Sequence, residues 1–431
     1  MACRLGGIGT RTDTSLWHPF SDMAAVRGHE LVIERGEGVW LWDEDGNRYL
    51  DGSASLWYAN VGHGRAEIAD AVAAQIRKLE AWSIFGDAAT PPAVELADRL
   101  SRLSSLDGAK VFFTTGGGDA VDTAAKFARL YWQVLGQPER LHIVSRTRAY
   151  HGTMAFGTSI GGIEANRIGY GPLVPSTSQV QWDSPDALRD EIERIGAERI
   201  AAFFAEPVIG AGGVFPPPPG YVEAVARICR DAGILFVCDS VICGFGRVGT
   251  WLGFERFGVE PDLVTFAKGV TSGYLPLGGV VVSGQVAEPF WSEPGHVVRH
   301  GQTYSGHAAV CAAALANLDI LERERLIPRG RELEDELLST LAPLADHPLV
   351  GEVRGGTGLL AGIALDPDAL AGDPGLPAKA YRAIRPHGVI LRALGDSLAV
   401  SPPLTISSDE LQLIHDAVRA GLDALVGAAV A

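Results

Sequence analysis

Sulfur and positive charge are both scarce in this 431-residue chain, which carries five cysteines, three methionines, and 36 Lys and Arg against 52 Asp and Glu. The net charge of −16 argues against a nucleic-acid partner, because phosphate backbones are gripped by clustered Lys and Arg and no such cluster occurs. The cysteines, Cys3, Cys229, Cys238, Cys243 and Cys311, are odd in number, widely spread and partly embedded in apolar runs. That pattern fits reduced thiols in a cytoplasm, and neither Cys238 nor Cys243 calls for a metal. Long apolar runs are missing too: no stretch reaches the roughly 18 residues of a membrane span, and the N-terminus lacks the basic-then-apolar pattern of a secretory signal. The expectation is a soluble, cytoplasmic protein with no membrane partner.

What is present is a large apolar fraction: 47% of residues are hydrophobic and 20% charged, ordinary for a folded chain and too apolar for a disordered one. At this length two or three domains are expected. Around Trp40, Trp42, Asp43 and Tyr49, short alternating runs broken by Gly and Asp read as a small antiparallel piece. From position 65 to 79 the residues Ile68, Ala71, Val72, Ile76 and Leu79 recur at helical spacing. Buried strands are expected at 111–114, 142–145, 201–206, 234–239, 263–266 and 279–283, with helical patterns between several of them. This alternation predicts an α/β fold with a mainly parallel sheet flanked by helices on both faces. After a helix over 308–324 come a charged helix, apolar runs at 359–365, 389–394 and 398–400, and a last helix near Asp409. These read as a separate, small α+β domain.

The stretch from 234 to 278 carries the most chemistry. One apolar strand ends in Asp239, glycines follow at 244, 246 and 249, and a second strand runs straight into Lys268 and Gly269. Ligands of open α/β sheets bind outside the carboxyl ends of strands, so neighbouring strands would deliver both side chains into one crevice. A lysine amine that bonds an aldehyde and a carboxylate that keeps a pyridine nitrogen protonated form the pair a pyridoxal cofactor requires. In isolation Asp239 would read as a turn cap and Lys268 as a solvated amine. Lys268, however, sits in the largely apolar run Phe266-Ala267-Lys268-Gly269-Val270, where a bare ammonium is costly to bury and a covalent imine is not. Upstream, Phe112-Phe113-Thr114-Thr115-Gly116-Gly117-Gly118-Asp119 is a strand, a glycine-rich turn and the start of a helical pattern. Such a turn reads either as a plain connection or as an anion site made of backbone amides and a helix N-terminus. Tyr150-His151-Gly152 follows the next strand and offers an aromatic ring to a flat ligand.

Further motifs extend this set. Ala205-Glu206-Pro207-Val208 before Gly210-Ala211-Gly212-Gly213, Asp239 through Gly246-Arg247, Lys268-Gly269, Thr303-Tyr304-Ser305-Gly306-His307 and Ser401-Pro402-Pro403-Leu404 occur together. In order and spacing they resemble the class III aminotransferases of fold type I, which depend on pyridoxal 5′-phosphate (PLP), over nearly the whole chain. The resemblance implies a large PLP-binding α/β domain, residues 61–325. It also implies a small α+β domain built from an N-terminal segment, 1–60, and a C-terminal one, 326–431. Carried over residue by residue, it implies Lys268 as the Schiff-base lysine and Asp239 as partner of the pyridine nitrogen. Amides of Gly117 and Gly118 would meet the phosphate, Tyr150 and Val241 would lie on the two ring faces, and His151 and Glu206 would also line the cofactor site. Thr303 would reach the phosphate of a neighbouring subunit, which implies a homodimer with shared active sites, and dimers that pair into a tetramer stay open.

Within that family, Leu56-Trp57 before Asn60-Val61-Gly62, Trp17-His18-Pro19-Phe20, and Arg392 before Asp396 most resemble the amine and ω-amino acid:pyruvate branch. The implied reaction moves an amino group from an amine or ω-amino acid donor to a keto-acid acceptor such as pyruvate, by ping-pong kinetics. Trp57, Phe85 and Tyr150 would wall the substrate pocket, and Arg392 would bind an acceptor's carboxylate and swing aside for an amine without one. Two departures stand out: Gly116, Gly118 and Asp119 replace the hydroxyls and glutamate usual at the phosphate turn, implying looser PLP, and Ser240 replaces the glutamate usual after the key aspartate. Other reactions on the same scaffold remain open, namely a 7,8-diaminopelargonate-type aminotransferase or an intramolecular aminomutase, as does a non-catalytic PLP-binding relative.

Overall fold

The computed structural model describes residues 14–430, with side chains through 426; Cys3 lies outside the described residues. Its centre is a seven-stranded sheet whose order, edge to edge, is Lys110–Thr114, Gly278–Val282, Leu263–Phe266, Leu235–Asp239, Ile200–Ala205, His142–Arg146 and Thr177–Val180. The last five strands are mutually parallel. Gly278–Val282 runs antiparallel to both of its neighbours. The six expected strands are present to within one or two residues. Thr177–Val180 was not expected, because three of its four residues are polar and only half-buried.

Continuous apolar runs arise here because both faces of the sheet are covered. Ala202, Phe204, Leu235, Val237, Leu263 and Val280 belong to one core cluster. The alternate residues Phe203, Ala205, Phe236, Cys238, Val264, Phe266 and Val281 belong to another. On the first face lies the helix Gly117–Val134, burying Ala120, Val121, Ala124, Phe127, Ala128 and Tyr131. Each large side chain so enclosed contributes about 1.5–3 kcal/mol relative to exposure.

Two smaller sheets lie beside this body. Ile33–Glu37, Trp40–Asp43 and Arg48–Asp51 form the expected antiparallel piece, and Val389–Ile390 from the far end of the chain joins it in parallel. One residue later Arg392–Leu394 enters the second sheet, pairing with Ser397–Val400, which in turn pairs with Ala361–Leu365. Strands from the N- and C-terminal segments thereby share one sheet. Arg247 bridges both segments. Fully buried, its guanidinium donates to the carbonyls of Leu359 and Pro402 at 3.0 and 2.6 Å and to Oδ1 of Asn60 at 2.9 Å. Among the described residues no helix is long and apolar enough to cross a membrane.

Candidate active site

Asp239 ends one central strand, and its position pairs with Thr265 on the parallel neighbour, three residues before Lys268. Three donors converge on the Asp239 carboxylate: the Val241 amide at 3.1 Å and the Thr265 hydroxyl at 2.9 Å meet Oδ1, while His151 Nδ1 meets Oδ2 at 2.7 Å. Because a carboxylate accepts, His151 carries its proton on Nδ1. Its other nitrogen, Nε2, is buried and has no hydrogen-bond partner among the described residues. Thr265 is a contact the sequence did not flag, although a lone hydroxyl inside Leu263–Phe266 was a visible signal.

Lys268 follows that strand with φ of +48°, in the left-handed region where side chains are strained. Desolvation pulls its amine from the ordinary value to about 8, against the opposing pull of Asp239 and Glu206, and Arg392 adds a smaller push in the same direction as burial. All four groups therefore lie within electrostatic reach. Glu206 is buried, which raises its pKa, and its two oxygens accept from the amides of Tyr150 and Gly210 at 3.1 and 3.0 Å. It thus fixes where the Tyr150 backbone lies.

The glycine turn leads into the 18-residue helix Gly117–Val134, whose N-cap, Gly116, supplies no side-chain hydrogen bond. Asp119 turns back to accept from the amide and hydroxyl of Thr115 at 2.8 and 2.6 Å. The first-turn amides, Gly117 and Gly118 among them, have no intrahelical partner and aim outward at the positive end of the helix dipole. A Cβ on Gly117 would fall 2.7 Å from Cγ1 of Val241, and one on Gly152 would fall 2.7 Å from the Gly118 Cα. The turn, Val241 and the Tyr150-His151-Gly152 segment are therefore in close contact.

Trp57 is buried with φ of +61°, and the Arg392 guanidinium lies 5.3 Å from its ring centroid. Tyr150 and Arg392 interact electrostatically, and burial raises the pKa of the tyrosine and lowers that of the arginine. Among the described residues neither the Trp57 indole nitrogen nor Arg392 Nε has a hydrogen-bond partner, though both atoms are buried. Lys268, Asp239, His151, Glu206, Tyr150, Val241, Gly117, Gly118, Trp57 and Arg392 are thus brought together. Phe85 and Thr303 are not in this group. Both are exposed, and Phe85 lies against Gly301, two residues from Thr303, on the surface of the same chain.

This donor set fits a flat phosphorylated heterocycle: a carboxylate and a deprotonation-prone amine at adjacent strand ends, with an uncapped helix N-terminus beside them. Comparison with known proteins agrees. The family model for class-III aminotransferases matches residues 23–422. A putrescine–pyruvate aminotransferase of Pseudomonas aeruginosa is 38% identical over 436 residues, covering 96% of this chain and 95% of that one. Among solved structures, a thermostable (S)-enantioselective ω-transaminase from Thermomicrobium roseum superposes with a TM-score of 0.91 at 43% identity, covering 94% of this chain and 96% of that one. An amine transaminase from an uncultivated Pseudomonas species, solved in its PLP-bound form, gives a TM-score of 0.91 at 37% identity, covering 96% of this chain and 99% of the other. With matches of this extent laid over a site of this composition, the chain belongs to the class-III aminotransferases and is a PLP-dependent enzyme of fold type I.

Proposed function

We propose that this enzyme transfers the amino group of an amine or ω-amino acid to a small keto acid such as pyruvate. Bound at the strand ends, PLP supplies the electron sink that stabilises the carbanion left when the donor carbon loses its proton. Asp239, oriented by His151, Thr265 and the Val241 amide, pairs with the ring nitrogen. Amides of Gly117 and Gly118 would hold the phosphate, and Val241 and Tyr150 would confine the ring. Lys268 would anchor the cofactor until the donor's amine displaces it, and the freed Lys268 amine would then take the proton from the donor carbon as general base and give it back as general acid, a task for which a pKa near 8 is suited. Donor and acceptor occupy the same pocket in turn, so double-reciprocal plots are parallel.

The observation that carries the substrate assignment is Arg392, a partly buried guanidinium within electrostatic reach of Lys268, with an unpartnered Nε and, among the described residues, no carboxylate hydrogen-bonded to it. An unpaired cation of this kind is costly unless a substrate carboxylate meets it. The 38% identity to the putrescine–pyruvate enzyme supports the same donor and acceptor classes. Phe85 and Thr303, exposed beside each other with Trp82 and Tyr304, serve the site of a second copy in a homodimer, since neither joins the pocket of its own chain. Four buried free cysteines, Cys229, Cys238, Cys243 and Cys311, support a reducing cytoplasm as the working compartment.

The test is the variant Arg392→Ala, assayed with a panel of donors and with pyruvate as acceptor. We expect KM for pyruvate to rise about tenfold or more, the loss of a charge-assisted pair, with KM for a carboxylate-free amine nearly unchanged. An unchanged KM for pyruvate, or no turnover of any simple amine by the wild type, overturns the assignment.

A further inference from the structure

The turn that carries Thr303 is pinned to its own chain by a residue that the reaction does not use. His300, three positions earlier, lays its ring on Phe112 with centroids 5.9 Å apart and planes 7° from parallel. Its Nε2 lies 2.8 Å from the Thr123 hydroxyl and its Nδ1 lies 3.2 Å from the Lys126 ammonium. The partners fix the proton. Thr123 spends its own hydrogen on the Asp119 carbonyl at 2.6 Å, so toward His300 it accepts, and Nε2 must donate. An ammonium only donates, so Nδ1 must be bare. The ring is therefore the neutral Nε2–H tautomer, linked on both edges to the helix whose first turn holds the glycine amides. Beyond it, the turn is closed by Ser305, whose hydroxyl accepts from the Gln302 amide at 3.2 Å and donates to the Gln302 side chain at 3.1 Å.

We infer that His300 is a positioning residue for the shared site: its neutral ring locks the turn bearing Thr303 onto the helix N-terminal region, and protonating it releases that turn and loosens cofactor held by the neighbouring subunit. This rests on the proposal that Thr303 serves a second copy's phosphate. The groups facing the ring are few. Lys126, Asp119 and Asp122 come from the helix Gly117–Val134, Phe112 from the edge strand, and Gln302 from the turn itself, its side-chain nitrogen 3.5 Å from Nε2. Both acids are already engaged, Asp119 by Thr115 and Asp122 by the amides of Phe156 and Gly157. A second ring proton would thus point at an ammonium. Consistently, burial first and Lys126 next lower the His300 pKa, outweighing Asp122 and Asp119. With the folded value below the ordinary value of about 6.5, the lock is complete above that pH and fails as the pH falls beneath it.

The experiment follows cofactor absorbance after diluting the holoenzyme into cofactor-free buffer, from pH 5 to 8, for the wild type and for His300→Gln, His300→Phe, Thr303→Val and His300→Phe/Thr303→Val. Glutamine retains one donor and one acceptor without titrating. We expect the wild type to lose cofactor about fivefold faster at acid pH than His300→Gln, and His300→Phe to lose it about fivefold faster at pH 8, the effect of a hydrogen bond or two. Adding His300→Phe to Thr303→Val should change nothing further. Equal pH profiles for the wild type and His300→Gln, or an additive double variant, overturn the inference while leaving the shared site standing. No effect of Thr303→Val alone removes the shared site itself, and the inference with it.

Discussion

At Lys268 two costs coincide. Its backbone sits at φ +48°, a strain of about 1–3 kcal/mol, and desolvation drags its amine to about 8. An ordinary lysine of pKa about 10.4 is about 0.4% neutral at pH 8, whereas half of this one is, which is what a general base needs. The same shift penalises the fold. Since the folded value lies below the unfolded one, the unfolded chain holds more protons between these two values. The penalty is complete below about pH 8 and vanishes above about pH 10.4. Lys268→Met should therefore abolish transamination, by about ten-thousandfold, yet raise the stability of the cofactor-free protein by about 3 kcal/mol at pH 7. Urea unfolding at pH 7 and 10.5 checks it: the gain should be present at the first and absent at the second. The identity of Lys268 and the downward direction of its pKa were legible from its apolar setting, but the balance between desolvation, the opposing Asp239 and Glu206 and the smaller push of Arg392 was not, because those groups lie far away in sequence.

Among the elements, the turn between the strand Lys110–Thr114 and the helix Gly117–Val134 is where glycine identity matters most, and not equally at each position. A Cβ on Gly117 would meet Val241 at 2.7 Å, while one on Gly118 would come closest to the flexible Met154 side chain at 3.3 Å, with backbone no nearer than 3.9 Å. Gly117→Ala should weaken cofactor affinity about tenfold by displacing Val241, and Gly118→Ala should stay within about threefold, as measured by cofactor titration of the two apo variants. Comparable losses in both would refute this ranking. Both glycines stood out in the sequence as one unit, and their different neighbours emerge only when Val241 is folded against the turn. Strand direction was similarly hidden: 279–283 read as one more buried strand, yet Gly278–Val282 runs against its neighbours. Its glycines permit the tight approach, since a Cβ on Gly278 would fall 2.2 Å from the Gly116 carbonyl oxygen.

For the whole molecule, Arg247 matters beyond its neighbourhood because it bonds to three segments, at Asn60, Leu359 and Pro402. The segments it clamps lead to Trp57 on one side and to Arg392 on the other. Arg247→Gln leaves two carbonyls and an amide oxygen buried without donors, and should cost about 3 kcal/mol or more of stability. It should also raise KM for the keto acid, because Arg392 loses a fixed base. Calorimetry and steady-state kinetics on the variant check both effects, and unchanged values of either would show that the clamp is dispensable.

Local pattern determined six of the seven strands of the central sheet, the main helices, the lysine, the aspartate and the glycine turn, because each is written in consecutive residues whose apolar spacing or charge stands out. Long-range partners did not. The three donors on Asp239, the empty-handed Arg392 over Trp57, the three-way clamp of Arg247, and the exposure of Phe85 and Thr303 were decided by tertiary structure alone. Apart from the Val241 amide beside Asp239, the partners lie tens to hundreds of residues apart, and no periodicity in the chain records which distant groups will share a buried, weakly screened space, where a single unpaired charge is worth several kcal/mol.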